Sequence, residues 1–165
     1  MNRIKRYAKW FSVAVAAGLV LIQFLPCDRT NPPIAPGRDL IAATQPPSPV
    51  AALLRDACYD CHSHETRWPW YDRIAPTSWW VAGHIQDGRK RLNFSDWPPA
   101  DPRRAKKKLE QISEAVTDGA MPLPSYTWMH PAARLSAAAK QLLVDWAEAE
   151  AAKLSAAAGR EADEK

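Results

Sequence analysis

The sequence predicts an all-α fold, in which an N-terminal membrane-anchor helix precedes a small helical domain. After residue 47, apolar residues recur three and four positions apart, and almost no segment alternates as a strand does. The first nine residues hold four cations and no acid, and an apolar run follows from Trp10 to Leu25. The four cations are Arg3, Lys5, Arg6 and Lys9.

Residues 1–27 are interpreted as a signal anchor. Cations before an apolar run stay on the cytoplasmic side of a membrane, so the rest of the chain is expected outside the cytoplasm. Pro26 and Cys27 follow the run, where a cleaved signal needs small residues. An uncleaved anchor is therefore favoured over a cleaved signal peptide, and Cys27 has no evident role.

The positive net charge of the chain comes from its N-terminus. The chain has 22 Lys and Arg against 18 Asp and Glu, a net charge of +4. The four N-terminal cations account for the whole excess, so the exported part is neutral. This balance argues against nucleic-acid binding.

Three regions are predicted after the anchor. Residues 28–47 hold five prolines and little periodicity, which is typical of an extended tether. Residues 48–150 are predicted to form one helical domain. Residues 151–165 are predicted to be a frayed helix followed by a disordered tail.

Four helices are predicted in the domain. The first spans residues 48–61, with Ser and Pro at its start. The second begins near Thr77. The third has Asp101 as its N-cap and Pro102 at its first position, and it ends at a glycine. The fourth begins at Ser136, and its expected inward-facing residues are Ala139, Leu142, Leu143 and Trp146.

Cys58, Cys61 and His62 form C-Y-D-C-H, the attachment signature of c-type haem. Two thiols at this spacing add to the two vinyl groups of haem and tie its edge to one helical turn. The histidine that follows becomes the proximal iron ligand. The sequence therefore predicts one covalently bound haem c, with both cysteines as thioethers and His62 on the iron.

Two other uses of this motif are weighed. A thioredoxin-like disulfide between the cysteines needs a βαβ context, which the sequence does not predict. A zinc site of Cys58, Cys61, His62 and His64 has suitable ligand types. All four fall within seven residues, however, whereas a tetrahedral site normally draws on two segments. Both are less favoured than haem.

The aromatic residues that follow the motif are candidates for the haem pocket. A domain of about a hundred residues is marginal on its own core, and the chain has 8 tryptophans. A flat apolar cofactor would complete such a core. For any single ring, ordinary core packing is favoured over a specific role at the haem, whereas the group as a whole fits a flat apolar cofactor. The candidates are Trp68, Trp70, Tyr71, Trp79 and Trp80.

The motifs together resemble the haem-binding domain family of small, membrane-anchored, cytochrome c-like proteins of bacteria. The stretches that carry the resemblance are CYDCHSHETRWPWYDRIAPTSWW, GRKRLNFSDW and MPLPSYTWMHPAARLS. The resemblance implies a cytochrome c-like helical fold around one covalent haem, held in the periplasm by a single-pass anchor in the inner membrane. It implies little about the physiological role.

The sixth iron ligand decides between a carrier and a site that binds ligands. Met121 is predicted, because it lies in a Met-Pro loop like that of class I cytochromes c. His84 and His130 are rivals. A histidine–methionine pair raises the reduction potential and closes the iron to substrate, which favours an electron carrier over an enzyme.

Two basic features complete the sequence-based hypothesis. Arg89 is a candidate donor to the haem propionates. The cationic segment 103–108, RRAKKK, could steer transient contact with a redox partner, although a solvated helix face is the favoured interpretation. The leading hypothesis is a membrane-tethered periplasmic monohaem cytochrome that relays electrons. The alternative is a haem sensor or an accessory subunit of a redox complex.

Overall fold

The fold is all-helical, as predicted. The computed structural model describes residues 2–97 and 101–163, which form α-helices joined by loops and short 3-10 turns and contain no strand. The helices are α1 (Asn2–Leu21), α2 (Leu40–Thr44), α3 (Ser48–Ala57), α4 (Tyr59–His62), α5 (Thr77–Arg91), α6 (Pro102–Thr117), α7 (Pro124–Met129) and α8 (Ala137–Asp163). The 3-10 turns are Ile22–Phe24, Trp70–Arg73, Phe94–Asp96 and Pro131–Ala133.

Helix α1 stands apart from the rest of the molecule and is solvent-exposed. The segment Arg3–Phe24 is 22 residues long and none of it is buried. Its length and composition allow it to cross a membrane or to act as a signal anchor.

The segment 28–47 is not a simple extended tether. Asp39 accepts a hydrogen bond from the backbone N–H of Ala42 and so caps α2. The Tyr59 hydroxyl donates to the Asp39 carboxylate at 3.0 Å, and Leu40 is fully buried. The pair Asp39-Leu40 gives this Pro-rich segment both a helix start and an apolar anchor, so its end packs on the domain.

The hydrophobic core lies where α6 packs along α8 and α3 packs against α8. The side chains that fill it include Leu54 from α3, Leu109 from α6 and Leu143 from α8. Leu142 was expected to face inward but is 40% exposed. The adjacent Leu143 occupies the buried position, because consecutive helix residues point about 100° apart.

The ends of α6 follow the sequence signals. Asp101 accepts a hydrogen bond from the backbone N–H of Arg103, and Pro102 is the first helical residue. Gly119, with a φ of 69°, follows the C-terminus. Helix α8 differs from expectation, because it continues through residues 151–163, where a frayed helix and a disordered tail were predicted. The last part of that prediction, residues 164–165, lies outside the described residues.

A second group of elements forms the other half of the domain. Helices α4 and α5 pack on each other, and the 3-10 turn Trp70–Arg73 packs on α5. The predicted helix over residues 48–61 is interrupted at Cys58, which separates α3 from α4. This interruption is the structural feature that presents the C-x-x-C-H motif.

Candidate functional site

The C-x-x-C-H motif occupies a single helical turn that starts at a break in the helix. Cys58 has a φ of −128° and a ψ of −41°, outside the helical region, although its N–H still bonds to the Leu54 carbonyl at 2.9 Å. The N–H of His62 then donates to the Cys58 carbonyl at 3.0 Å and closes the turn. The turn brings Cys58, Cys61 and His62 together in one short element.

The two cysteines are free thiols with high pKa values. Burial raises the pKa of the Cys58 thiol to about 12 and that of the Cys61 thiol to about 11. A catalytic dithiol requires the opposite shift, toward the thiolate. These values disfavour a thioredoxin-like redox site. In the described ranges 2–97 and 101–163, no three His, Cys, Asp or Glu side chains are grouped so that they could hold a metal ion.

The imidazole of His62 is held by the last turn of α5. Its Nδ1 lies 3.1 Å from the Gly88 carbonyl oxygen and 3.0 Å from the Leu92 carbonyl oxygen. A carbonyl only accepts, so Nδ1 carries the proton and Nε2 keeps its lone pair. Burial lowers the pKa of His62, which keeps the ring neutral. A neutral histidine oriented through Nδ1 is the usual form of a metal ligand.

A cavity of about 340 Å³ opens beside this turn. It lies between α5, the segment that leads into the turn Trp70–Arg73, and α7. Most of its walls are apolar or aromatic: Pro69, Tyr71, Trp80, Val81, Ile85, Leu123, Tyr126, Trp128 and Met129. Cys61 also lines the cavity, which places one thiol of the motif at an apolar pocket.

One polar cluster in the wall of this cavity is built on Asp60. Asp60 is only 5% exposed, and the Tyr126 hydroxyl donates to its carboxylate at 2.6 Å. The backbone N–H and the Nε of Arg67 donate to the same carboxylate at 3.0 and 3.2 Å. Burial and the hydrogen bond to Asp60 raise the pKa of Tyr126. Arg67 therefore supplies a cation at the cavity wall that sequence reasoning missed, although it lies only five residues after His62.

A second polar pair joins Tyr71 and His130 across the cavity. The Tyr71 hydroxyl lies 2.8 Å from Nε2 of His130. The His130 ring stacks on the Tyr126 ring with centroids 4.1 Å apart and planes inclined by 13°. Tyr126 thus contacts both Asp60 and His130, and sequence reasoning did not single it out either.

The structure separates the predicted site residues into two sets. Cys61, Tyr71, Trp80, His84 and His130 line the cavity. The other predicted residues lie outside its lining. They are Cys58, which packs against the hydrophobic core, His62, which contacts Phe94, and Trp68, Trp70, Trp79, Arg89 and Met121.

Three potential sixth ligands differ in their surroundings. Nδ1 of His84 is 2.9 Å from the Trp80 carbonyl, so its Nε2 keeps the lone pair, as in His62. His130 already uses Nε2 in its contact with Tyr71. Met121 is half-buried and precedes the cavity-lining Leu123 by two residues. The choice of Met121 remains a prediction.

Arg89, expected near the propionates, is bonded elsewhere. Its Nε donates to the Ser63 carbonyl at 2.8 Å and its Nη1 to the Thr30 carbonyl at 3.1 Å. Its Nη2 donates to the side chains of Asn31 and Thr66 at 2.8 and 3.0 Å. The guanidinium joins the segment after α1 to the turn after His62. Arg67 is better placed to meet an anionic group at the cavity.

The residues present fit a haem. The cavity is apolar and aromatic, and it reaches one thiol of the motif. His62 keeps an unprotonated Nε2 as the iron ligand requires. Arg67, in the cavity wall, supplies a donor for carboxylate groups.

Comparison with protein families agrees with this fit. The model of a family described as "Haem-binding domain" matches residues 17–149, from the last turn of α1 into α8. Comparisons with curated proteins and with solved structures found no match. The resemblance inferred from the motifs is confirmed, and the chain belongs to the haem-binding domain family.

Proposed function

We propose that this protein is a membrane-tethered, periplasmic, monohaem c-type cytochrome that relays single electrons. The observation that carries the proposal is the C-x-x-C-H turn, with the neutral His62 ring oriented by the Gly88 and Leu92 carbonyls. When bound, haem supplies one-electron chemistry at its iron. Cys58 and Cys61 would hold it covalently, and His62 would be the proximal ligand.

The protein's own residues would exclude water and fix the ring. The cavity walls from Tyr71, Trp80 and Ile85 provide apolar contact. Arg67, held by the buried Asp60, would offer charge-assisted hydrogen bonds to a carboxylate. With Met121 as the sixth ligand the iron would be closed, which suits a carrier and not an enzyme.

The proposed location follows from α1. Its exposed apolar surface suits a lipid environment, and the cations at its start favour retention of that end in the cytoplasm. The domain would then lie in the periplasm, where redox partners meet it by transient contact. Arg103, Arg104 and Lys107 are exposed on α6 and would offer a cationic surface for such encounters.

A sensor or accessory role is the second candidate. The observation that favours it is the hydrogen-bonded pair Tyr71 and His130 in the cavity wall, since such groups could stabilise a small ligand bound near the iron. Ready binding of carbon monoxide by the reduced protein would favour this role over electron relay.

Covalent attachment is the decisive test. The full chain, expressed with a c-type maturation system, should keep its haem through denaturation and acid–acetone extraction. The Cys58→Ala, Cys61→Ala double variant should lose it, while Cys27→Ala, the matched control for a third thiol, should keep it. Release of all haem from the wild type would contradict the proposal.

A further inference from the structure

We propose that the haem domain sits directly on the bilayer that its own anchor enters, through a membrane face of Phe24, Leu25, Trp70 and Ile74 flanked by Arg29 and Arg73. This inference rests on the proposed membrane anchor. The occupant of the face is the phospholipid surface, because the chain leaves its apolar helix at this place.

The end of the anchor is bonded to the domain. The side-chain amide of Gln23 donates to the Ala75 carbonyl at 3.1 Å, and its oxygen accepts from the Ala75 N–H at 2.9 Å. These reciprocal bonds hold the backbone next to Ile74 against the 3-10 turn Ile22–Phe24 that follows α1. The sulfhydryl of Cys27 adds a contact to the Ser78 carbonyl at 3.4 Å.

The length of the anchor determines how far this contact lies from the bilayer. The apolar run Trp10–Leu25, which follows the four cations, spans about 24 Å at 1.5 Å per residue, less than the ~30 Å hydrocarbon core of a bilayer. Because the cations stay on the cytoplasmic side, this short run places Gln23 no farther out than the opposite bilayer surface when α1 spans the membrane. Ala75, in hydrogen-bond contact with Gln23, lies at the same level.

The side chains around this contact suit the interface. Phe24 is 81% exposed, Leu25 55%, Trp70 70% and Ile74 49%. Single exposed apolar residues are ordinary, but these four belong to two short segments that are bonded to each other. Tryptophan is enriched at the boundary between lipid and water.

The charges around the contact suit phosphate headgroups. A second cavity, of about 310 Å³, lies between the post-anchor segment and the domain, and Arg29 and Arg73 both line it. Every residue that lines it within the described chain is neutral or cationic. The nearby carboxylate of Asp72 is fully buried, 3.8 Å from Nε of Arg29, and so does not face the lipid. Arginine at this depth can donate to phosphate oxygens.

The test is photo-crosslinking to lipid from the full-length, haem-loaded protein in vesicles of phosphatidylglycerol and phosphatidylethanolamine. Benzoylphenylalanine would replace Ile74 in one variant and Leu19 in the anchor in a second. In a third it would replace Glu114, an exposed residue of α6. We expect lipid adducts from positions 19 and 74 and none from position 114.

The three positions separate the two proposals. Adducts from position 19 without adducts from position 74 would overturn the membrane face while leaving the anchor intact. Absence of adducts from position 19 would overturn the anchor itself. Adducts from position 114 as abundant as those from position 74 would show non-specific contact and would also overturn the face.

Two further variants test the cause of the contact. Gln23→Ala should lower the adduct yield at position 74 roughly fivefold, the change that loss of about 1 kcal/mol produces, without changing the yield at position 19. Arg73→Glu should lower it in phosphatidylglycerol vesicles, whereas Arg104→Glu on α6 should not. An unchanged yield at position 74 in both Gln23→Ala and Arg73→Glu would overturn the inference.

Discussion

The carbonyl group of Cys61 lies directly against the α-carbon of Gly88. A Cβ at position 88 would be 2.6 Å from the Cys61 oxygen and 3.3 Å from its carbonyl carbon. Both neighbours are backbone atoms, so neither can rotate away. The same glycine presents its own carbonyl to Nδ1 of His62. The close approach of α5 at Gly88 therefore sets the orientation of the histidine.

Substitution at Gly88 should be costly for that reason. In an exposed helix interior, Gly→Ala stabilises by up to about 1 kcal/mol, but overpacking costs about 1–3 kcal/mol. We expect Gly88→Ala to lower the free energy of unfolding in urea and to reduce haem loading. Gly83→Ala is the matched control, because nothing lies within 4 Å of its Cβ position in the same helix, and it should be neutral or stabilising. A Gly88→Ala protein as stable as Gly83→Ala would contradict the packing argument.

Removal of the Tyr126 hydroxyl should weaken the wall of the cavity. Tyr126→Phe deletes a 2.6 Å hydrogen bond to the buried Asp60 carboxylate, and bonds to charged groups are worth about 1.5–3 kcal/mol. Tyr71→Phe, which loses a bond to the neutral His130, should cost less, about 0.5–1.5 kcal/mol. Urea unfolding of both variants measures the difference, and a larger loss in Tyr71→Phe would oppose this ranking.

The alkaline stability of the protein should depend on the same hydroxyl. The pKa of Tyr126 is raised in the folded state, by burial first and then by the bond to Asp60. Between the unfolded pKa near 10 and the higher folded pKa, the unfolded state binds fewer protons, so stability falls as pH rises. The free energy of unfolding should decline above about pH 10. The decline should be smaller in Tyr126→Phe, and an identical pH profile in the two proteins would exclude this linkage.

Arg89 should stabilise the link between α1 and the domain. Arg89→Ala removes four hydrogen bonds, to Ser63, Thr30, Asn31 and Thr66. We expect a loss of about 2 kcal/mol and faster hydrogen exchange in residues 28–34. Lys90→Ala, which removes only an exposed contact to Asp87, is the control and should leave that segment unchanged. If exchange in the two variants is equal, Arg89 does not hold the segment.

The sixth iron ligand should be visible in the electronic spectrum. A thioether sulfur on ferric haem gives a weak long-wavelength charge-transfer band. We expect the band in the wild type and in His84→Ala and His130→Ala, and its loss in Met121→Ala together with a lower reduction potential. If the wild-type iron is low-spin and closed to added ligands but the band is absent, the sixth ligand is a histidine. His84 would then be favoured, because its Nε2 keeps its lone pair and the side chain lines the cavity.

Local signals in the sequence predicted much of the fold. Asp101 and Pro102 begin a helix through capping and a fixed φ, which are properties of neighbouring residues alone, and the structure has them in those roles. Leu142 and Leu143 are chemically alike and adjacent, so only the packing of α8 on α6 decides which is buried. Leu40 lies in a Pro-rich segment that has no periodic pattern, and its burial depends on distant parts of the chain.

The candidate site shows the same division. The C-x-x-C-H motif is contiguous, so its spacing alone was enough to predict Cys58, Cys61 and His62 as haem-binding residues, and these assignments stay predictions. Arg67 and Arg89 could not be ranked, because the partners of a guanidinium are set by tertiary contacts. Tyr126 meets Asp60 across 66 residues of chain, a pairing to which no local pattern points.

The four bonds of Arg89 also limit how the domain can move. A flexible linker of twenty residues has a typical end-to-end distance of about 25 Å and would let the domain sample many orientations. Residues 28–47 are instead bonded to the domain at Thr30 and Asn31. They are bonded again at Arg38, whose carbonyl accepts from the Trp97 N–H at 3.1 Å, so the segment has little freedom to move. With α1 in a bilayer, the domain would therefore be held at one distance from the membrane surface and in one orientation relative to it. Encounter with a partner in the same membrane then becomes a search in two dimensions, at a level that the protein itself fixes.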